Sequence, residues 1–348
     1  MDLSTQTSQT SVRTLDDGDT SQRSEKDSPP LLFVVGSGRS GTTWLGKIFD
    51  SHPDTLYRHE PDTWQDRDDL PAVVMPEQTQ QYARIMQDFV EGLPLSRDPR
   101  IGTKLPLFPK SYYSPLRFRL RQLCVAGAKA GGHIGLDLAV PHLFEYRNAK
   151  DLRVIWKSIN STGRVGLVAS AIENSRTVVI VRHPCGHAAS WLRGKQGGHF
   201  TGTTHRVENY MRDLLDMPHA RTHRLTEEAF KAMPPLEKHI WAWVLSNEKM
   251  MLDIEDRDDC TLIRYEDLCA QPLEVSQRLF EWAELSWNDQ TEAFIKESTS
   301  NEDDGYYSVF KNPLSSAQRW REELSEKDVE RILAVAQGSL PGRLYEDE

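Results

Sequence analysis

Residues 31–45 read Leu31-Leu-Phe-Val-Val-Gly-Ser-Gly-Arg-Ser-Gly-Thr-Thr-Trp-Leu45, and the change of character inside this stretch decides the fold. Leu31–Val35 is an unbroken apolar run of β-branched, aromatic and leucine side chains, the composition of a strand buried on both faces. Gly36, Gly38 and Gly41 then interrupt it, with Ser37, Arg39 and Ser40 between them. Thr42, Thr43, Trp44, Leu45, Ile48 and Phe49 continue as an amphipathic helix that ends near Pro53. A strand, a glycine loop and a helix N-terminus in succession build an anion site, because the loop turns its N–H groups inward and the helix end adds partial positive charge. The spacing Gly36-x-x-x-x-Gly41 is that of a Walker A motif, but Thr42 stands where the lysine of that motif belongs. The cation is Arg39, inside the loop. The competing reading is a tight turn that binds nothing; the glycines, the arginine and the hydroxyls of Ser37, Ser40, Thr42 and Thr43 favour an anion other than the β,γ-phosphates of Mg·ATP.

The chain has 348 residues and a formal net charge of −10, enough length for a substantial core and the wrong sign for a general nucleic-acid binder. No apolar run approaches a membrane span, and the N-terminus lacks a basic patch followed by an apolar core and a cleavage site. Cys124, Cys185, Cys260 and Cys269 have neither paired nor zinc-ligand spacing, so they read as reduced thiols of a cytoplasmic protein, with a Cys260–Cys269 bridge as the alternative. Residues 1–29 are polar and end in Ser28-Pro29-Pro30, which predicts a disordered tail ahead of one domain spanning residues 30–348.

Apolar runs and helical periods alternate along that domain. Thr55–Arg58, Leu152–Trp156 (ending in Lys157-Ser158), Thr177–Val181 and Thr261–Arg264 read as further strands. Helices are expected over Gln80–Leu93, after a cap at Ser161, from Pro184, near Val207–Met217, over Leu236–Ile254, from Pro272 to Trp282, and from a cap at Ser325 to about Gly338. Residues 194–204 read as a flexible loop. The predicted architecture is three-layered α/β, a mostly parallel sheet of P-loop type with helices on both faces. From Arg100 to Leu136 there is no acidic residue, while Arg100, Lys104, Lys110, Arg117, Arg119, Arg121 and Lys129 all fall there. This stretch is either a solvated basic helix or a site for an anionic acceptor.

The strand Thr177–Val181 sharpens the anion reading. In a Mg-dependent P-loop enzyme a second buried strand ends in an aspartate that holds the metal; here it ends in Arg182, which repels a metal and attracts phosphate. Arg39 with its loop, and Arg182 with Ser190, thus bring anion-binding groups to one sheet edge. The implied ligand is anionic at two separated places, as is a nucleotide with a 3′-phosphate and a 5′-anhydride.

Gly36-Ser-Gly-Arg-Ser-Gly-Thr-Thr-Trp44 resembles the 5′-phosphosulfate loop of sulfotransferases that use 3′-phosphoadenosine-5′-phosphosulfate (PAPS), and Val181-Arg-His-Pro to Ser190 resembles their 3′-phosphate motif. Ser51-His-Pro-Asp with His59-Glu-Pro61, Leu262-Ile-Arg-Tyr-Glu-Asp-Leu268 and Trp320-Arg-Glu-Glu-Leu324 are similar to further segments of that family. The style is that of the carbohydrate and tyrosylprotein branch of the Golgi, in a soluble, bacterial-like form without the usual membrane anchor. A second departure is His183, where the family carries aspartate.

The resemblance implies an O-sulfotransferase acting without a metal and leaving 3′,5′-bisphosphoadenosine. Ser37, Gly38, Arg39, Ser40, Gly41, Thr42 and Thr43 would hold the 5′ end. Arg182 and Ser190 would hold the 3′-phosphate, with Arg193 a further contact or a plain surface residue. Tyr265 is a nucleotide contact or a core tyrosine, and Ser308, Lys311 and Arg319 lie in a late loop that closes over the nucleotide. Glu60 matches the carboxylate base and His59 competes with it; neighbours on an extended segment point to opposite faces, so one of them should reach the reaction centre. Lys157 and Arg39 are the cations expected beside the transferring group, the alternative for Lys157 being a snorkelling surface lysine. Trp44 reads as core. The acceptor is expected to be a carbohydrate hydroxyl, an anionic glycan included, with a tyrosine or small alcohol as the alternative. A P-loop kinase and an inactive nucleotide-binding scaffold are the competing function classes.

Overall fold

The computed structural model describes residues 30–65, 67–133, 135, 139–141, 152–198, 204–300, 309 and 312–346. The proposed tail, Ser308 and Lys311 lie outside these residues. Five strands, β1 (Leu31–Val35), β2 (Thr55–His59), β3 (Arg153–Ser158), β4 (Ser175–Val181) and β5 (Cys260–Arg264), form one sheet in the order β2-β3-β1-β4-β5. Every pairing is parallel. All five C-terminal ends therefore meet at one edge, and chain order reverses direction at β1, where doubly wound sheets carry their ligands.

Alternation along β1 explains its continuous apolarity. Leu31, Phe33 and Val35 enter one core with Val154, Trp156, Val179, Val181 and Trp243. Leu32 and Val34 enter the opposite core with Leu45, Ile48, Phe49, Ile155, Ile180 and Phe280. Helices cover both faces, the expected three-layer arrangement. Thr42–Asp50 lies on the second face, held close by Gly46: a Cβ there would stand 3.0 Å from the Tyr57 ring and 3.3 Å from Lys157 Cβ. Pro235–Asp253 covers the first face through Ile240, Trp243 and Val244.

Several local expectations change. Lys157 is inside β3, paired in register with Val34 and His59, and is 1% exposed. Ser161 does not cap a helix; its hydroxyl donates to Asp62 at 2.7 Å, and a short 3-10 turn, Thr162–Arg164, precedes the helix Val165–Ala171. The stretch read as a loop is helical at both described ends, since the helix from Pro184 runs to Gln196 and another spans Thr204–Leu215; residues 199–203 lie outside the described residues. The cysteines are free thiols. Among the described residues no helix is long and apolar enough to cross a membrane.

Candidate active site

The anion loop is shaped by two glycines and one arginine. At Gly36 a Cβ would stand 2.4 Å from the Ile180 carbonyl oxygen, so β1 can leave the sheet against β4 only through glycine. Gly41 has φ +90° and its Cβ would meet the Tyr265 ring at 2.4 Å. Arg39 is also left-handed, with φ +78°, a strained conformation for a non-glycine residue. Ser40 N–H donates to Ser37 O at 3.1 Å, and the Ser37 and Ser40 hydroxyls are 2.8 Å apart. Gly41 heads the Thr42–Asp50 helix without a side-chain cap and with no acidic residue in the first turn, leaving the helix N-terminus to an anion. Thr42 is buried; Gly38, Arg39 and Thr43 are half-exposed on the open side.

The end of β4 is tied to this loop. Arg182 Nη1 donates to the Arg39 carbonyl at 3.0 Å and Nη2 to the Ser316 carbonyl at 2.7 Å, while its guanidinium lies 4.7 Å from the Tyr265 ring centroid. Arg182 Nε is buried and has no hydrogen-bond partner. Arg39 Nε in turn donates to Ser190 Oγ at 3.0 Å. Arg39, Arg182 and Ser190 are thereby brought together. Tyr265 is buried, its phenol raised by burial, and it packs under Gly41 as a core tyrosine does. Arg193 pairs with Glu323, and Arg319 is exposed where the Pro313–Gln318 helix ends. Trp44 is core, donating to Ser298 Oγ at 3.0 Å.

His183 is explained by its hydrogen bonds. It is the N-cap of Pro184–Gln196, and its Nδ1 accepts from Cys185 N–H at 3.1 Å, the work an aspartate does at this position. Capping needs the neutral ring, and burial with Arg321, Arg182 and Arg264 nearby lowers its pKa to about 4. Trp320 stacks on it at 4.7 Å and Glu266 Oε1 accepts its backbone N–H at 3.0 Å. Two motifs distant in sequence thus brace the end of β4.

On the other side of β1, Glu60 leaves β2 with φ +48° and donates its N–H to the Lys157 carbonyl at 2.8 Å. The left-handed turn swings its carboxylate back to the Lys157 ammonium, which pairs with it, and to His59, whose Nε2 is 3.8 Å from Glu60 Oε1. The expectation that these neighbours face opposite ways fails here, because the chain is no longer extended at Glu60. The Tyr57 hydroxyl is 3.0 Å from His59 Nδ1. Burial, then Lys157, Lys104 and Lys47, push the His59 pKa far below the ordinary histidine value. The surface alternative for Lys157 is excluded by its burial.

Residues that the sequence reading missed support this half. Asp62 is buried, its pKa raised by burial, and accepts from Ser158 Oγ, from Ser161 Oγ and from Trp156 Nε1 at 3.4 Å, fixing the turn after Glu60. Lys47 Nζ pairs with Asp50 and donates to the Lys104 carbonyl at 2.9 Å. Half-buried Lys104 has its pKa lowered by burial and by Lys157, with Glu60 opposing, which places its charge among theirs. A cavity beside it is lined by Tyr57, Lys104, Leu107, Phe108, Phe118 and Arg121, among others. The basic stretch is therefore divided: Lys110 is buried on Asp50 at 2.9 Å, Arg121 donates to the Gly102 carbonyl at 2.8 Å, Arg100 pairs with Asp98 at 2.7 Å, and Lys104 lines the cavity.

The sequence profile of the sulfotransferase family matches residues 30–289, from β1 through β5 and beyond. The chain belongs to this family. This sulfotransferase is 24% identical over 339 residues to carbohydrate sulfotransferase 5 of Mus musculus, covering 89% of this chain and 79% of that protein. Among solved structures it is similar to the sulfotransferase domain from the curacin biosynthetic pathway (TM-score 0.43, 14% identity, 88% of this chain and 96% of that one). It is also similar to mouse sulfotransferase SULT7A1 complexed with PAP (TM-score 0.41, 13% identity, 90% and 87%). In this sulfotransferase the β4 side of β1 carries a cationic loop at a helix N-terminus, and the β2 side carries a carboxylate paired with a lysine.

Proposed function

We propose that the protein transfers the sulfuryl group of PAPS to an acceptor hydroxyl, with Glu60 as the general base. The observation that carries this reading is the Glu60–Lys157 pair at the same sheet edge as the Arg39 loop. The residues fit such a donor: an uncapped helix N-terminus, the half-exposed Gly38 and Thr43, the Ser37 and Ser40 hydroxyls and Arg39 suit the 5′ anhydride. Arg182, with its unpartnered buried Nε, and Ser190 suit a second phosphate. Bound there, the donor supplies an activated sulfuryl group whose leaving phosphate carries the developing negative charge.

The chain's own contribution is position, charge and one proton transfer. The acceptor O–H proton passes to a Glu60 oxygen. Protonation ends the attraction between that carboxylate and Lys157, whose ammonium is then available to the charge growing on the leaving side. Glu60 is preferred to His59 because the His59 ring is tied to Tyr57 and set among three lysines that oppose its protonation. A metal-free reading rests on Arg182 at the end of β4, where a cation takes the place of a metal-holding carboxylate.

A carbohydrate hydroxyl is the favoured acceptor, on the likeness to carbohydrate sulfotransferase 5. Lys104 beside the lined cavity suits an acceptor that already carries negative charge. Calorimetric titration with 3′,5′-bisphosphoadenosine tests the donor half: saturable binding is expected, and absence of binding overturns the reading. A PAPS-dependent screen of neutral glycans, anionic glycans, tyrosine peptides and small alcohols tests the acceptor half.

A further inference from the structure

The Pro115–His133 helix has two apolar faces where one would suffice. Its inner side is accounted for: Val125 and Ala128 are buried and Phe118 and Arg121 line the cavity beside Lys104. On the outer side Leu116, Leu120 and Leu123 recur at the i, i+4, i+7 spacing of a single helical face and are 69%, 45% and 69% exposed. Exposed Arg117 and Arg119 flank this stripe, and among the described residues no carboxylate pairs with them. The ordinary solvated helix of this protein looks different. Pro272–Trp282 turns Glu274, Gln277, Arg278 and Glu281 outward, mixing both signs and no large apolar residue.

We propose that the outer face of the Pro115–His133 helix docks on an anionic lipid bilayer. A leucine stripe edged by cations and free of acids is the pattern of a helix that lies in the headgroup region, leucines inward and guanidinium groups at the phosphates. Charge decides against a second copy of the chain. The stretch from Arg100 to Leu136 contains no acidic residue, so a two-fold pairing would set arginines against arginines and leave them uncompensated. Charge also separates this face from the rest of a chain whose net charge is −10, which an anionic surface would otherwise repel. Docking would hold the cavity lined by Phe118 and Arg121 close to the lipid surface, since these residues lie on the same helix. The inference is independent of which residue is the base and of the donor.

Co-sedimentation of the full-length protein with phosphatidylcholine vesicles, with and without phosphatidylglycerol, tests it. Binding is expected only where phosphatidylglycerol is present, weakening as salt is raised. L116E/L120E/L123E should remove it, and R117Q/R119Q should weaken it about 25-fold, two cations at about fivefold each. All these positions are exposed, so the variants should keep the parent's melting temperature and its affinity for 3′,5′-bisphosphoadenosine. Equal binding to both vesicle types, no binding at low salt, or vesicle binding unchanged by the leucine variants overturns the proposal. So does a parent dimer in sedimentation velocity that the leucine variants dissociate, which would make the face a self-association surface.

Discussion

On the β4 side of β1 the site is held mainly through backbone groups; on the β2 side it is held mainly through side chains. Arg182 grips the Arg39 and Ser316 carbonyls, Gly36 presses on the Ile180 carbonyl and His183 caps a helix through a backbone N–H. Across the sheet, Glu60, Lys157, His59 and Tyr57 hold one another by carboxylate, ammonium, ring and hydroxyl, and Asp62 accepts from the Ser158 and Ser161 hydroxyls. A cradle of backbone donors binds an anion whatever the chemistry that follows. A side-chain cluster can change its proton count, which is what a reacting hydroxyl requires. On the proposed function this difference separates a binding half from a reacting half, and substitutions on each side should fail in different ways.

The largest effect should come from Glu60→Gln, which keeps the shape and removes the carboxylate proposed as the base. A fall in kcat of about 10²- to 10⁴-fold is expected, with calorimetric affinity for 3′,5′-bisphosphoadenosine close to that of the parent. Turnover that persists would transfer the role to another group and dissolve the contrast. On the binding side, Arg182→Ala should instead weaken nucleotide affinity by about 10- to 100-fold, the scale of one or two charge-assisted hydrogen bonds. Arg182→Lys should recover little of that loss, because one ammonium cannot span the Arg39 and Ser316 carbonyls as a guanidinium does.

Gly41→Ala places a Cβ at φ +90° and into the Tyr265 ring. It should destabilise the fold by about 1–3 kcal/mol, read as a lower melting temperature, and should weaken nucleotide binding with it. The smallest effect concerns pH. The folded pKa of His183 is about 4 and that of His239 about 3, both lowered by burial, against 6.5 unperturbed. Between those values the unfolded chain binds more protons, so stability is whole above about pH 6.5 and falls as pH drops towards 4. His183→Asn keeps a capping acceptor that does not titrate, so its melting temperature should fall less steeply over that window than the parent's. Parallel curves would remove His183 from the acid response.

How legible each half was follows from how local its determinants are. The strand, loop and helix around Gly36–Gly41 are contiguous, and every feature that makes them a candidate anion site is written within a few residues. Arg182 and Ser190 were legible for the same reason, being one strand end and its following helix. Glu60 was readable as a residue, but its geometry was not. The period of an extended segment set His59 and Glu60 on opposite faces, and a left-handed Glu60, which no residue type announces, brought them together. Ser161 misled because a serine before a helix is an ordinary cap, and only the fold shows Asp62 claiming its hydroxyl.

The sequence by itself determined the parallel α/β architecture, the glycine loop between strand and helix and the cationic end of β4, since apolar periodicity and glycine spacing act over short range. The tertiary structure alone decided which charges meet. It buried Lys157 within β3 against Glu60, sent Lys110 to Asp50, and let His183 serve where a carboxylate was expected. The ion pairs join segments tens of residues apart, and each is set by where strand register and helix packing place its two ends. No local pattern of residue types records that placement.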